Sequence, residues 1–99
     1  MIVTVVIDMN IKELKRILCE YLEYYIKERE LVIKSPCRCR IIRVYNFLQC
    51  TIITNPIAET YEKKIWFKGI PLYEIAITGQ EGARITARID LDEIAIVLR

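Results

Sequence analysis

The sequence predicts an α+β domain, with one long N-terminal helix packed on a mainly antiparallel sheet of about five or six strands. The expected order is β-α-β-β-β-β, with or without one further strand. Two observations predict it. Residues 10–30 are the one long segment with a helical period, and the segments on either side are short, rich in β-branched residues and separated by turn signals. At 99 residues the chain is expected to form a single domain spanning residues 1–99.

The helix predicted over residues 10–30 has a complete start signal. Asn10 can accept a hydrogen bond from the third helical N–H, and Glu13 can return one, which makes a capping box. Met9 and Leu14 can close as a hydrophobic staple. Apolar side chains then recur at spacings of three and four, which predicts the face that meets the sheet. These side chains are Ile11, Leu14, Ile17 or Leu18, Tyr21 or Leu22, Tyr25 and Ile26.

Strands are predicted on both sides of the helix. Residues 2–7 are β-branched throughout and apolar except for Thr4, which predicts a strand buried on both faces, central in the sheet or paired across a dimer. Asn46 interrupts a long strand pattern, so that segment is either one strand with a bulge or a hairpin turning at Asn46. The strands predicted after the helix cover residues 37–54, 63–68, 72–78, 83–90 and 94–98.

Composition favours self-association over a charged partner. Apolar residues make up 54% of the chain, more than one helix and a few strands can easily hide, so we expect a homodimer. The net charge of +2 is too mild to argue by itself for nucleic acid or a membrane. The apolar runs are too short to cross a membrane, and residues 1–10 lack the basic start of a signal peptide. A cytosolic location is therefore expected.

Catalysis is not expected. The chain has no histidine, which excludes the commonest general base and the imidazole metal ligands. No glycine precedes Gly69, so the first two-thirds contain no glycine-rich phosphate loop. Asp90, Asp92 and Glu93 bring three carboxylates to one turn and could bind Mg²⁺, but acidic turns are common without a metal. We expect no enzyme activity, no catalytic residue and no cofactor.

Four cysteines, Cys19, Cys37, Cys39 and Cys50, offer a choice between bridges and free thiols. Zinc sites usually use paired C-x₂-C knuckles, whereas the closest pair here is Cys37 and Cys39, so we expect no metal site. A disulfide joining Cys37 or Cys39 to Cys19 or Cys50 is expected if the cell is a hyperthermophile, within the chain or between protomers. The alternative is four buried thiols acting as small apolar residues.

Basic and aromatic residues alternate in two of the predicted strands. On a sheet, such rings can stack on bases while arginines hold phosphates, although the glycine-flanked aromatic signature of many RNA-binding sheets is missing. The alternative is a solvated edge whose arginines pair with the glutamates of the helix. Nucleic acid is thus a possible partner but not the favoured one. The residues concerned are Arg38, Arg40, Arg43, Tyr45 and Phe47 in the first strand and Lys63, Lys64, Trp66 and Lys68 in the second.

Tyrosines widen the apolar stripe of the helix beyond what one sheet needs. Tyr21 and Tyr24 are expected either to flank the core with their hydroxyls in water or to touch a partner molecule. In a chain with surplus apolar surface, this flank is the first candidate for the contact with a second copy.

The overall character of the chain resembles proteins of hyperthermophiles, which are rich in charged residues and poor in labile ones. With its β-branched start at residues 1–7 and its tyrosine-rich helix, it resembles the small orphan proteins of lipothrixviruses, filamentous viruses of Acidianus. The resemblance implies a thermostable viral protein of the host cytoplasm or the virion, often an intertwined homodimer, and assigns no functional residue.

The function expected from the sequence is that of a non-enzymatic, highly stable homodimer that acts through protein–protein interaction, as an adaptor or a structural protein. Its partner would be an unidentified viral or host protein. The alternative is a nucleic-acid-binding accessory protein that uses the basic and aromatic strand surface.

Overall fold

The computed structural model describes residues 5–42, 46–91 and 94–97. It has the predicted α+β class and element order: one helix packs on a five-stranded antiparallel sheet, and a two-stranded sheet lies apart from it. The elements are β1 (Val5–Asp8), α1 (Ile11–Glu28), β2 (Arg38–Ile42), β3 (Phe47–Thr54), β4 (Tyr61–Phe67), β5 (Ile70–Thr78), β6 (Ala83–Asp90) and β7 (Ile94–Val97).

The large sheet has the strand order β2-β3-β6-β5-β4, so β6 enters between two strands that precede it in the sequence. The neighbours β2 and β3 form a hairpin whose turn contains Asn46 in the left-handed region, at φ 49°. Asparagine tolerates this conformation better than most residues, which explains the break in the strand pattern. Of the two interpretations of residues 37–54, the hairpin is confirmed.

The helix α1 begins where its cap predicts. The Asn10 Oδ1 atom accepts a hydrogen bond from the Glu13 N–H at 2.9 Å. The helix ends at Glu28, two residues before the predicted end, and α1 contacts β2, β3 and β6. Its sheet-facing side chains are buried as the period predicts: Leu14, Ile17, Leu18, Tyr21, Leu22, Tyr25 and Ile26.

The two faces of the large sheet differ because α1 covers only one of them. On the covered face, alternate side chains of β3 and β6 are buried against the helix, among them Leu48, Ile52 and Ile85. The side chains between them, which point the other way, are exposed or half-buried. We call the face away from α1 the open face.

The strand β1 differs from the prediction made for it. It pairs in parallel with β7 and takes no place in the large sheet, and the Val6 side chain is 67% exposed while Ile7 is buried. Burial on both faces, predicted for residues 2–7, is therefore wrong at Val6; residues 2–4 lie outside the described part of the chain. Within that part, no helix is long and apolar enough to span a membrane.

Candidate functional site

Strand register brings basic and aromatic residues of all five strands of the large sheet onto the open face. Arg38 and Arg40 of β2 lie opposite Thr51 and Gln49 of β3. In β3, Ile53 lies opposite Arg84 of β6. Since directly paired residues share a face, one arginine cluster spans β2, β3 and β6. The 3.0 Å contact between the hydroxyls of Thr51 and Thr86 shows that these central side chains also point the same way.

A groove of about 440 Å³ lies between these side chains, and we call it the arginine groove. Three arginines, two threonines, one glutamine and two isoleucines are among the residues that line it. Its lining residues, all from the described part of the chain, include no carboxylate. They are Ser35, Arg38, Arg40, Gln49, Thr51, Ile53, Ile77, Arg84 and Thr86.

The arginines of the groove are available for an anion. Within the described residues, Arg38 and Arg84 form no ion pair, and Arg40 can donate to the amide oxygen of Gln49 at 3.1 Å. The described residues of the open face carry five cationic side chains and two anionic ones, a surplus of three positive charges. These are Arg38, Arg40, Lys64, Arg84 and Arg88 against Glu62 and Asp90.

The alternative of arginines paired with helix glutamates is wrong for Arg38 and Arg40. The helix lies on the other side of the sheet, and two of its glutamates pair with other cations. Arg16 pairs with Glu13 at 2.6 Å and with Glu20 at 2.9 Å. Glu20 also pairs with Lys68 of the β4–β5 turn at 2.6 Å. The helix therefore supplies no carboxylate to the arginines of the groove.

Aromatic side chains share the open face with the groove. Phe47 and Tyr73 flank Arg88, which lies opposite Gln49 of the lining, whereas Trp66 stands at the sheet edge opposite β2. The Arg88 guanidinium lies 5.3 Å from the ring centre of Phe47 and 4.9 Å from that of Tyr73, and it also pairs with Asp90 at 3.0 Å. Arg88 therefore holds two rings in place across three strands. Trp66, on the edge strand β4, is 57% exposed. Its indole offers the flat surface that a stacked base requires.

The structure brings together four of the eight predicted contact residues, places two others on the helix and leaves two outside the described part of the chain. Arg38, Arg40, Phe47 and Trp66 share the open face, whereas Arg43 and Tyr45 lie outside the described residues. A partner-facing role for Tyr21 is wrong, because its ring is buried with an edge contact to Phe67 at 5.2 Å. Tyr24 is 53% exposed and is free to touch a partner on the helix side.

Sequence reasoning missed Arg84 and Tyr73 as members of this face. In β6, Arg84 and the buried Ile85 are consecutive residues, so the alternation predicts that Arg84 points to the open face. The sequence does not predict that β6 inserts next to β3 and so brings Arg84 close to Arg38 and Arg40. The basic strand β4 is also divided: Lys64 and Trp66 face the open side, while Lys63 lies on the covered face, 3.5 Å from Glu74. Of the three carboxylates proposed for Mg²⁺, Asp90 pairs with Arg88, and Asp92 and Glu93 lie outside the described residues.

The four cysteines converge on the covered face, between α1 and the β2–β3 hairpin. The Cys19 Sγ atom lies 2.6 Å from that of Cys37 and 3.2 Å from that of Cys50. Cys39 lies opposite Cys50 in the ladder, and both thiols reach the Lys15 carbonyl oxygen, at 3.9 and 3.8 Å. All four are free thiols, since the closest pair is well beyond the disulfide length of about 2.05 Å.

The crowded thiols change one another's acidity. Hydrogen bonds from Cys50 and then Cys19 stabilise the Cys37 thiolate and lower its pKa to about 7. The pKa of Cys39 is also lowered, mainly by a hydrogen bond from Cys50. Burial is the main reason why the pKa of Cys19 rises to about 12. The neighbouring thiols therefore favour the thiolate form at Cys37 and Cys39 and disfavour it at Cys19.

A buried acid forms a second polar group below the sheet surface. Glu74 of β5 is fully buried on the covered face, and burial raises its pKa to about 7. Its carboxyl accepts from the Tyr61 hydroxyl, which also contacts the Tyr25 hydroxyl. This chain of hydroxyls reaches a cavity of about 590 Å³ beside the end of α1, whose walls include Arg29 and Lys63.

Comparison with known proteins finds no matching family model, no similar curated protein and no similar solved structure.

Proposed function

We propose that the protein is a non-enzymatic binding protein whose open face holds single-stranded nucleic acid, with phosphates in the arginine groove and bases stacked on the neighbouring rings. One observation carries the proposal: three arginines line a groove without a carboxylate on an uncovered sheet face. Because like charges repel, a second copy of the same face is a poor occupant and a polyanion is a good one.

The aromatic residues favour a nucleic acid over other polyanions. Stacking on an aromatic side chain contributes about 1–3 kcal/mol per base, and it needs an accessible ring face such as that of Trp66. A flat sheet suits splayed single-stranded bases, whereas side chains read a duplex from elements that enter its grooves. Single strands are therefore the expected form.

The proposal is tested by the fluorescence anisotropy of labelled oligo-dT and oligo-U at several salt concentrations. Arg38→Ala and Arg84→Ala should each weaken binding, and each should lower the salt slope by about 0.7, because one phosphate contact is lost. Trp66→Ala should weaken binding about 5- to 100-fold with little change in slope, since stacking is not ionic.

Lys12→Ala is the matched control, because it removes one positive charge from the exposed side of the helix. It should leave affinity and slope unchanged. Duplex DNA of equal length and polyglutamate serve as competitors. Equal losses in the Lys12 and arginine variants, or equal competition by polyglutamate, would contradict a site that stacks bases.

We also propose a homodimer that forms through β1, which gives the protein a protein–protein contact of its own. Two-stranded parallel sheets exposed to solvent are rare, because parallel strands are normally covered or extended by further strands. Antiparallel pairing of β1 with the β1 of a second copy would extend the small sheet to four strands and cover Val6.

Light scattering on the purified protein at low micromolar concentration tests the dimer. The wild type should give twice the chain mass of 11.7 kDa. Val6→Lys should shift it to the monomer, because a lysine on a strand edge opposes pairing. Ile77→Lys also places a lysine at an exposed β-branched residue, but on the large sheet, and this variant should remain dimeric. A wild-type monomer would refute this contact.

The compartment follows from the resemblance alone: we propose the host cytoplasm or the virion of a filamentous archaeal virus. Either location would bring the open face into contact with viral or host nucleic acid.

A further inference from the structure

We propose that the four cysteines form a zinc-binding site of the Cys₄ type that fastens α1 to the edge of the sheet. The ligands are Cys19 on the helix, Cys37 just before β2, Cys39 on β2 and Cys50 on β3. The inference is independent of nucleic-acid binding, because the cluster lies on the covered face.

The cysteine sulfurs lie close together. The sulfurs of Cys19, Cys37 and Cys50 all lie within 4.8 Å of one another. Cys39 lies opposite Cys50 in the strand ladder, outside that group of three, and its sulfur would have to turn toward them to become the fourth ligand. A disulfide uses two sulfurs and leaves the other two crowded against it. A single ion with four thiolate ligands uses all four sulfurs at once.

The path of the chain at the start of β2 places both Cys37 and Cys39 near the cluster. The spacing Cys37-x-Cys39 argues against a shared ligand set if both residues lie in one extended strand, where alternate side chains stand well apart. In the structure Cys37 precedes β2, which begins at Arg38. Cys37 and Cys39 are both half-buried while Arg38 between them is exposed, so both side chains lie on the covered side, and the Cys37 sulfur lies 2.6 Å from that of Cys19.

The sulfur separations and the charge of the cluster can be compared with those of a tetrahedral zinc site. Four sulfurs at about 2.3 Å from zinc stand about 3.8 Å apart in a tetrahedron, so Cys19 and Cys37 would separate from 2.6 Å by roughly 1 Å. Rotation of the half-buried Cys37 side chain supplies that movement without displacing the helix. Lys15, whose carbonyl oxygen lies 3.9 Å from the Cys39 sulfur, brings one positive charge to the neighbourhood of a four-thiolate site.

Zinc is the chemical choice because it prefers thiolate ligands, is tetrahedral and has no redox chemistry of its own. Binding would release the thiol protons to the solvent, so affinity should rise with pH. The ion would join α1, which meets the hairpin through side-chain packing, to the hydrogen-bonded strands β2 and β3. It would thereby stabilise β2, an edge strand of the sheet that carries two arginines of the groove.

The test uses the full chain, reduced and freed of metal under argon, and titrated with Co²⁺ as a spectroscopic substitute for Zn²⁺. We expect one Co²⁺ per chain, with thiolate-to-cobalt charge-transfer bands, intense tetrahedral d–d bands, and displacement of both by one equivalent of Zn²⁺. At a free Zn²⁺ concentration about 100 times Kd, the melting temperature should rise by roughly 10–20 °C.

Cys37→Ser and Cys39→Ser are the informative variants, because both side chains are only half-buried and their loss should leave the fold intact by circular dichroism. Even an outer-shell partner of a metal is worth about 10- to 100-fold in affinity, so the loss of a direct ligand should cost more. Arg38→Ala, which changes the residue between them but faces away from the cluster, should bind Co²⁺ as the wild type does.

Three results would overturn the proposal. One is a reduced wild type that takes up no Co²⁺ at stoichiometric concentration. Another is wild-type affinity in the folded Cys37 and Cys39 variants. The third is a disulfide that reforms in the presence of Co²⁺ and excludes it, seen as a loss of two hydrogen masses from the intact chain.

Discussion

Replacing Ile85 by alanine should lower the free energy of unfolding by about 2–5 kcal/mol. Ile85 lies in the middle of β6, the central strand of the large sheet, and its side chain is fully buried beneath α1. Its truncation would leave a cavity bordered by β3, β5 and the helix. Because ladder hydrogen bonds or side-chain packing hold all three in place, they cannot move in to fill the cavity without a further loss of stability.

Denaturant unfolding followed by circular dichroism measures this loss. Ile77→Ala is the matched control, since it makes the same change in the adjacent strand β5 at a side chain that is 52% exposed on the open face. It should cost under about 1 kcal/mol. Equal costs at the two positions would mean that the faces of the sheet are assigned the wrong way round.

Stability should fall by roughly 2–3 kcal/mol between pH 4.5 and pH 8 because of Glu74. Burial raises the pKa of this carboxyl from 4.5 to about 7 in the folded protein. Between those pH values the folded state holds a proton that the unfolded state has already released. The stabilisation is therefore complete below pH 4.5 and is lost as the pH rises through 7. Such a protein is favoured in acid, in contrast to one held by buried carboxylates.

Glu74→Gln isolates this contribution, because glutamine keeps the shape of the neutral acid and does not ionise. The variant should be more stable than the wild type at pH 8 by about 2 kcal/mol, and nearly equal to it at pH 4.5. Glu59→Gln, at an exposed position, should follow the wild-type profile. An unchanged pH profile in the Glu74 variant would show that this carboxyl does not set the dependence.

The sequence carried the local features of this fold. The capped start of α1, its buried stripe and the hairpin at Asn46 each depend on residues a few positions apart, and all three agree with the structure. In β6, the alternation of apolar with polar residues matches the observed alternation of buried and accessible side chains. Glu74 was missed even though it sits at period two between Leu72 and Ala76, a pattern that predicts burial.

Non-local pairing is what the sequence did not reveal. The insertion of β6 between β3 and β5 joins segments far apart in the sequence, pairing Phe47 with Asp90, and no local turn signal predicts it. Arg84 becomes a neighbour of Arg38 only through that insertion. For the same reason the β1–β7 pair, which joins the two ends of the chain, could not be anticipated from residues 2–7 alone.

The cysteines follow the same logic. Their spacing in the sequence matches no familiar ligand pattern, and only the packing of α1 on the β2–β3 hairpin brings Cys19 to Cys50. The large sheet thus lies between two groups of side chains. The thiols and the buried Glu74 are on the face that α1 covers, and the cationic and aromatic residues are on the open face. A ligand of one face need not disturb the other.

The central claim is that the open face binds single-stranded nucleic acid, and NMR mapping tests it most directly. Uniformly ¹⁵N-labelled protein would be titrated with unlabelled oligo-dT at low salt. The largest amide shifts should occur at Arg38, Thr51 and Arg84, with a shift of the Trp66 indole N–H, while the exposed side of α1 stays unchanged. Shifts confined to α1 or to β1, or no shifts at micromolar protein, would contradict the claim.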